Sequence, residues 1–274
     1  LSKVQYYLYP DDRDEILVSK SPKECIIVMS QGSLTEIVDL MAMGFEQFAQ
    51  QKRDDFGQEL LVSSLMIGKS KSFLKNPIPF FFSGFRDPNS GTSETDRNIV
   101  LSITKSTDKQ PILDRLNDFL SQNSQLDAIS DLCVQVADEL ISNAAYSAPV
   151  DGSGNHIFQE TPRTTEIVFV EKRRPTFFCG YSSQRVVVGC QDQYGSFSKS
   201  GLVKHLSKAL KDEKTSARVN TGGAGLGMKY MVENSANFYL YCDPGITSLV
   251  ACGFLLKGMR ANLTSAKHFH MSVR

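Results

Sequence analysis

Runs of β-branched and aromatic residues bounded by turn formers predict strands along this chain, and stretches with apolar positions recurring at helical spacing predict helices. After a first strand in VQYYLYP (4–10), residues 24–65 read as strand, helix, short strand, helix. A polar stretch, RDPNSGTSETDRN (86–98), is rich in turn formers and nearly free of apolar residues, and reads as a linker. Beyond it, IVLSIT (99–104) reads as a strand, 109–122 as a helix opened by Pro111, and 126–148 as a long helix stopped by Pro149. EIVFVEKR (166–173), PTFFCGYS (175–182) and QRVVVGCQD (184–192) read as strands separated by turn residues. A polar segment (193–221) leads to a glycine run and a helix from about Gly225 to Asn234. NFYLYCDPGITSLVACGFLL (237–256) reads as a hairpin through Asp243-Pro244-Gly245, and 258–274 as a terminal strand or tail. The pattern predicts an α+β architecture, helices first and then a mainly antiparallel sheet with one more helix inserted. The domains expected are a small α/β region over 1–85, a linker over 86–98, the main domain over 99–257 and a tail over 258–274.

Within the long helix, Leu126, Ile129, Leu132, Cys133, Val136, Leu140 and Ala144 fall on one stripe that is expected to face a sheet. Asn143 projects into the middle of that stripe and Glu139 lies on its edge, four residues earlier, so that the two side chains reach the same place. An amide and a carboxylate on a core-facing stripe need partners, because unpaired burial is costly. The alternative is a helix end that has turned towards solvent.

Composition narrows the field. The chain has 274 residues, enough for one large or two ordinary domains, and its 30 basic and 30 acidic residues cancel. No net field favours nucleic acid or an anionic membrane as partner, and no apolar run approaches the roughly 20 residues of a membrane span. A soluble, cytoplasmic protein is expected. Six scattered cysteines with no CxxC pair suit buried reduced thiols, and the four histidines do not combine with them at zinc spacing. His268 and His270 could chelate a metal, but on a strand they would simply share one face, which is the expected reading.

The glycine run TGGAGLGMKY (221–230) opens a helix, and bare backbone followed by the first turn of a helix suits a polyphosphate. Neither the GxxxxGK[ST] loop nor an early dinucleotide fingerprint is present. Three stretches in order do resemble one family: ELISNAAYSA (139–148), DQYGSF (192–197) and GGAGLGM (222–228) look like the N box and two glycine boxes of the GHKL, or Bergerat-fold, ATPases. That family unites gyrase B, MutL, histidine kinases and the serine-kinase anti-sigma factors. DPGITSLVACGFLL is similar to its closing hairpin, and the resemblance covers roughly Arg97 to Lys257.

The resemblance implies a two-layer α/β sandwich of the Bergerat type, its mixed, mainly antiparallel sheet covered by helices, binding ATP with Mg²⁺. It implies that Asn143 ligates Mg²⁺ bridging the phosphates, that Glu139 is the general base or water-orienting carboxylate, and that Asp192 accepts from the adenine amino group with Thr247 assisting. Gly222, Gly223, Gly225, Leu226 and Gly227 would form the segment closing over the phosphates. One departure stands out: Tyr194 and Ser196 occupy positions where the first glycine box usually has glycines, with Gly195 between them. Tyr194 is expected to stack on the base. Of the lysines and arginine at 199, 204, 208, 211, 214 and 218, Lys214 or Arg218 is a candidate for neutralising phosphate charge, against a solvated basic helix face as the plain alternative.

Within the family the chain looks most like the serine-kinase anti-sigma group, which implies a cytoplasmic bacterial signalling protein that transfers the γ-phosphoryl group to a protein partner or sequesters it, with a homodimer left open. The alternative is a non-catalytic, nucleotide-gated binding module, or a histidine-kinase-derived regulator without its own phosphoacceptor histidine. All four histidines fall within or after the ATPase-like region, which speaks against a self-contained histidine kinase. Residues 24–65 resemble the second half of a response-regulator receiver, Ser30 and Lys52 standing where that family has its switch residue and lysine, although VQYYLYP lacks the phosphoacceptor Asp. The N-terminal region is therefore expected to be a degenerate or partial receiver-like unit serving as an interaction surface, with an unrelated α/β segment as the alternative.

Overall fold

The computed structural model describes residues 5–9, 11, 22–30, 32–82, 98–211, 224–257 and 267–274. Nine strands form one sheet: β1 (Gln5–Tyr9), β2 (Cys25–Met29), β3 (Gln47–Gln50), β4 (Asn98–Ser102), β5 (Thr176–Tyr181), β6 (Arg185–Asp192), β7 (Asn237–Asp243), β8 (Thr247–Leu255) and β9 (His268–Val273). Their spatial order is β1-β2-β3-β9-β7-β8-β6-β5-β4, with parallel pairing of β1 to β2, β2 to β3 and β7 to β9, and antiparallel pairing elsewhere. The helices are α1 (Leu34–Ala42), α2 (Phe56–Gly68), α3 (Ser70–Lys75), α4 (Ile78–Phe81), α5 (Lys109–Ser121), α6 (Asp127–Ser142), α7 (Lys199–Lys211) and α8 (Ala224–Glu233). None of the described helices is long and apolar enough to cross a membrane. The protein is thus a mixed α+β structure built on a mainly antiparallel sheet.

The expected two layers are three. Along β5–β8, residues on both faces are apolar: Val186, Val188, Phe238, Leu240, Cys252 and Phe254 pack with α1, α5, α6, α7 and α8. The alternate residues Phe178, Val187, Tyr239, Tyr241, Leu249 and Ala251 pack with Val62, Met66, Phe73 and Phe81 of α2, α3 and α4. A strand buried on both faces must be covered on both, and α2–α4 supply the second cover.

The segment before residue 83 and the segment after 97 share this sheet, because β9, at the end of the chain, sits between β3 and β7. Most of the linker read from sequence lies outside the described residues, apart from Asn98, which begins β4. EIVFVEKR forms no regular strand: it meets the chain after β4 through a single bridge, Lys105 to Val168, and bonds such as Phe169 N to Thr104 O (2.8 Å). Its outward residues Val168 and Val170 are 71% and 70% exposed. The alternation was real, but a strand also needs a neighbour long enough to pair with.

The six cysteines are buried and unbridged. His268 and His270 share one buried face of β9, their rings stacked at 6.2 Å, and bond to Asp55 (3.0 Å) and Glu59 (2.8 Å). No group of three or more His, Cys, Asp and Glu side chains suited to a metal ion occurs among the described residues.

Candidate functional site

The last turn of α6 is where sequence placed polar residues on an apolar stripe. Here the backbone changes pitch: Asn143–Ser147 is a π turn, closed by Ala148 N donating to Asn143 O at 2.8 Å. Such bulges inside helices recur at functional sites. Asn143 donates through Nδ2 to Glu139 Oε1 at 2.9 Å, and its Oδ1 receives only a long contact from Ser147 Oγ at 3.4 Å. The bond to Glu139 therefore sets the amide orientation and leaves Oδ1 as the atom offered to a ligand.

Across from this turn, β6 ends in Asp192, paired in register with Ser248 at the start of β8. Asp192 Oδ1 accepts from the backbone N–H groups of Tyr194 (2.8 Å) and Gly195 (3.2 Å). Burial pushes its carboxyl up to about 6 in spite of these bonds. Thr247 donates from Oγ1 to Asp192 O at 2.5 Å and accepts from Gln191 Nε2 at 3.1 Å, so it fixes the strand end that carries Asp192. Gly195 has φ +59, and a Cβ there would collide with backbone atoms of Asp243, Gly245 and Ile246. Its carbonyl accepts from Gly245 N at 3.0 Å, so this glycine lets the turn after β6 lie directly on the β7–β8 hairpin.

Between α6 and the sheet lies a cavity of about 200 Å³. Asn143, Ser147 and His156 line one side, Asp192 and Ser248 another, and Leu140, Val250, Met228 and Met231 provide apolar surface. Ser196, Ser198 and Leu202 lie on its α7 side. His156, which sequence reading did not single out, reaches the wall because its Nδ1 bonds Ser147 O at 2.6 Å. Its only sequence signal was its place shortly after the long helix.

The structure thus brings Asn143 and Asp192 to one cavity. Tyr194 is not among its lining residues: its ring lies under the Arg173 guanidinium at 5.1 Å, so it is not placed to stack on a ligand there. Glu139 also stands off the cavity wall, beneath the start of α8, where a Cβ on Gly227 would overlap its carboxylate. Gly225 and Leu226 fall in the first turn of α8. Gly222, Gly223, Lys214 and Arg218 lie outside the described residues.

Compared with protein-family models, with curated proteins and with solved structures, the chain finds no match.

Proposed function

We propose that the chain is a nucleotide-binding signalling protein of the GHKL (Bergerat-fold) type, which holds Mg·ATP in the cavity between α6 and the sheet and passes the γ-phosphoryl group to a protein partner. The observation that carries this reading is the convergence of Asn143 and Asp192, from the end of a helix and the end of a strand, on one cavity. The chemistry of the cavity fits the ligand. Apolar walls suit a base, a buried carboxylate at the end of β6 suits an amino group, and Asn143 Oδ1, held only by the long contact from Ser147, is a hard donor suited to Mg²⁺. ATP would supply the activated phosphoryl group, and the residues present orient it and shelter the base from water.

A nucleotide-gated binding module without turnover is the second reading. It is favoured by Glu139, which stands off the cavity wall, and by Ser196, which occupies that wall where the family's first glycine box would have bare backbone. Calorimetric titration with Mg·ATP and Mg·ADP tests both readings. The unaltered chain is expected to bind, Asn143→Ala or EDTA to weaken binding at least tenfold, in line with loss of a metal ligand, and absence of binding at millimolar nucleotide overturns the reading. Glu139→Ala separates the two: beyond the severalfold loss of affinity that freeing the Asn143 amide causes, a kinase loses turnover at saturating nucleotide, whereas a binding module has no turnover to lose.

A further inference from the structure

Lys199 belongs to a lysine-rich stretch that reads as a solvated helix face, yet only 22% of its side chain is exposed. Its Nζ donates to the carbonyl oxygens of Gly44 (2.7 Å) and Phe45 (3.3 Å) and to Glu46 Oε1 (3.3 Å), all on the loop between α1 and β3. Glu46 is 2% exposed. The same Oε1 also meets Lys23 Nζ at 3.7 Å, itself bonded to Val273 O at 2.6 Å. Burial pushes the Glu46 carboxyl up and the Lys199 ammonium down, as expected of an ion pair withdrawn from water. A pair of this kind is costly to break one-sidedly and, unlike a screened surface pair, fixes geometry.

The place of Lys199 in the fold gives this contact its reach. The preceding residue, Ser198, caps α7 by accepting from Gly201 N at 3.1 Å, and Ser198, Gly201 and Leu202 all line the cavity. Leu202 and Leu206 of the same helix are buried in the core, and α1 packs along α7. One helical turn is therefore at once a wall of the cavity and the seat on which the N-terminal segment rests.

We propose that Lys199 is a positioning residue through which the segment 22–68 regulates the nucleotide cavity. The Glu46–Lys199 contact holds the first turn of α7 against the cavity, so that a change at the α1–β3 loop alters nucleotide affinity and bound nucleotide tightens that loop. This regulation rests on the nucleotide reading of the cavity. Coupling between two sites is reciprocal, which makes both directions measurable.

Glu46→Gln, Lys199→Met and the double variant, each in the full chain, supply the test. Without nucleotide, amide hydrogen exchange over 200–206 is expected to quicken in both single variants while β6–β8 stay protected; unchanged exchange overturns the contact as a latch whatever the cavity binds. With Mg·ATP, each single variant is expected to bind about tenfold more weakly. The double variant is expected to bind no more weakly than the singles, because the two residues act as one unit. Lys199→Arg is expected to restore most of the affinity, and Mg·ATP to slow exchange over 44–50 in the unaltered chain. Affinity that stays unchanged while exchange quickens, or losses that add, overturn the coupling. An unaltered chain that binds no Mg·ATP overturns the nucleotide reading instead, and the exchange measurement then decides whether the latch stands.

Discussion

Asp192 has a pH dependence built into its place at the end of β6. With its carboxyl pushed up to about 6 by burial, it is an ionised acceptor at neutral pH and turns into a proton donor as pH falls through 6. Mg·ATP affinity is expected to fall by up to about tenfold per pH unit below that point. Asp192→Asn is expected to bind weakly at every pH and to abolish the slope, and calorimetry from pH 7.5 to 5 checks both. Gly195 makes a different demand, because a side chain there meets backbone rather than solvent or a movable side chain. Gly195→Ala is expected to destabilise the fold by roughly 2–3 kcal/mol, read as a lower midpoint in urea denaturation. From sequence, this glycine was one letter of a glycine box; its positive φ and its contact with the β7–β8 hairpin depend on where that hairpin lies.

At the scale of elements, α6 and α8 meet through Gly227, whose missing side chain leaves room for the Glu139 carboxylate that orients Asn143. Gly227→Ala forces the Glu139 side chain aside from its Cγ outward, so thermal stability is expected to fall by roughly 1–2 kcal/mol. The Asn143 amide loses its fixed orientation, and Mg·ATP binding is expected to weaken severalfold, which separates the two effects in one variant. Elements whose local pattern and tertiary role agree were readable from sequence: α5 and α6 with their apolar stripes, β5, β6, and the β7–β8 hairpin with its Asp-Pro-Gly turn. Asn143 was legible as an intruder on a stripe and Asp192 as an acid at a strand exit. The π turn was not, since pitch depends on how the helix end is held, nor was the seat of Lys199, whose partners are two backbone carbonyls and an acid far away in sequence. The second layer of helices was missed because both faces of β5–β8 being apolar is visible only once the strands are assigned together.

For the molecule as a whole, the joint between the N-terminal segment and the rest is polar as well as apolar. From α2, Glu59 accepts from Arg185 Nη1 (2.5 Å), Tyr239 OH (2.8 Å) and His270 Nε2 (2.8 Å), all fully buried. Asp55 nearby is held by Arg53, Asn237 and His268 at 3.0 Å each. Burial disfavours the ionised Glu59, but the Arg185 charge and the His270 bond outweigh it and hold the carboxyl at about 2; His268 is pushed down by burial. Both shifts carry the same sign for acid: the unfolded chain takes up a proton on His268 below about 6.5 and on Glu59 below about 4.5, where the folded chain resists. Asp55, held far below its ordinary value, adds to this, whereas Asp192 opposes it between about 6 and 3.8. Stability in urea is expected to fall steeply from pH 4.5 towards 3. Glu59→Gln is expected to be weaker by about 3–5 kcal/mol at neutral pH, since Arg185 loses its counter-charge, and to show a shallower acid slope.

The same joint has a keystone. Residues 268–273 fill the gap between β3 and β7, so neither flank of the sheet has its inner edge closed until the chain has been made as far as Val273. During synthesis β1–β3 and the strands from β4 onwards are therefore two unfinished pieces, each presenting an open strand edge to solvent and to neighbouring chains. Joining them waits on pairings that span most of the sequence, so the final closure is expected to be slow, and the interval before it the time when neighbouring chains most readily pair edge to edge.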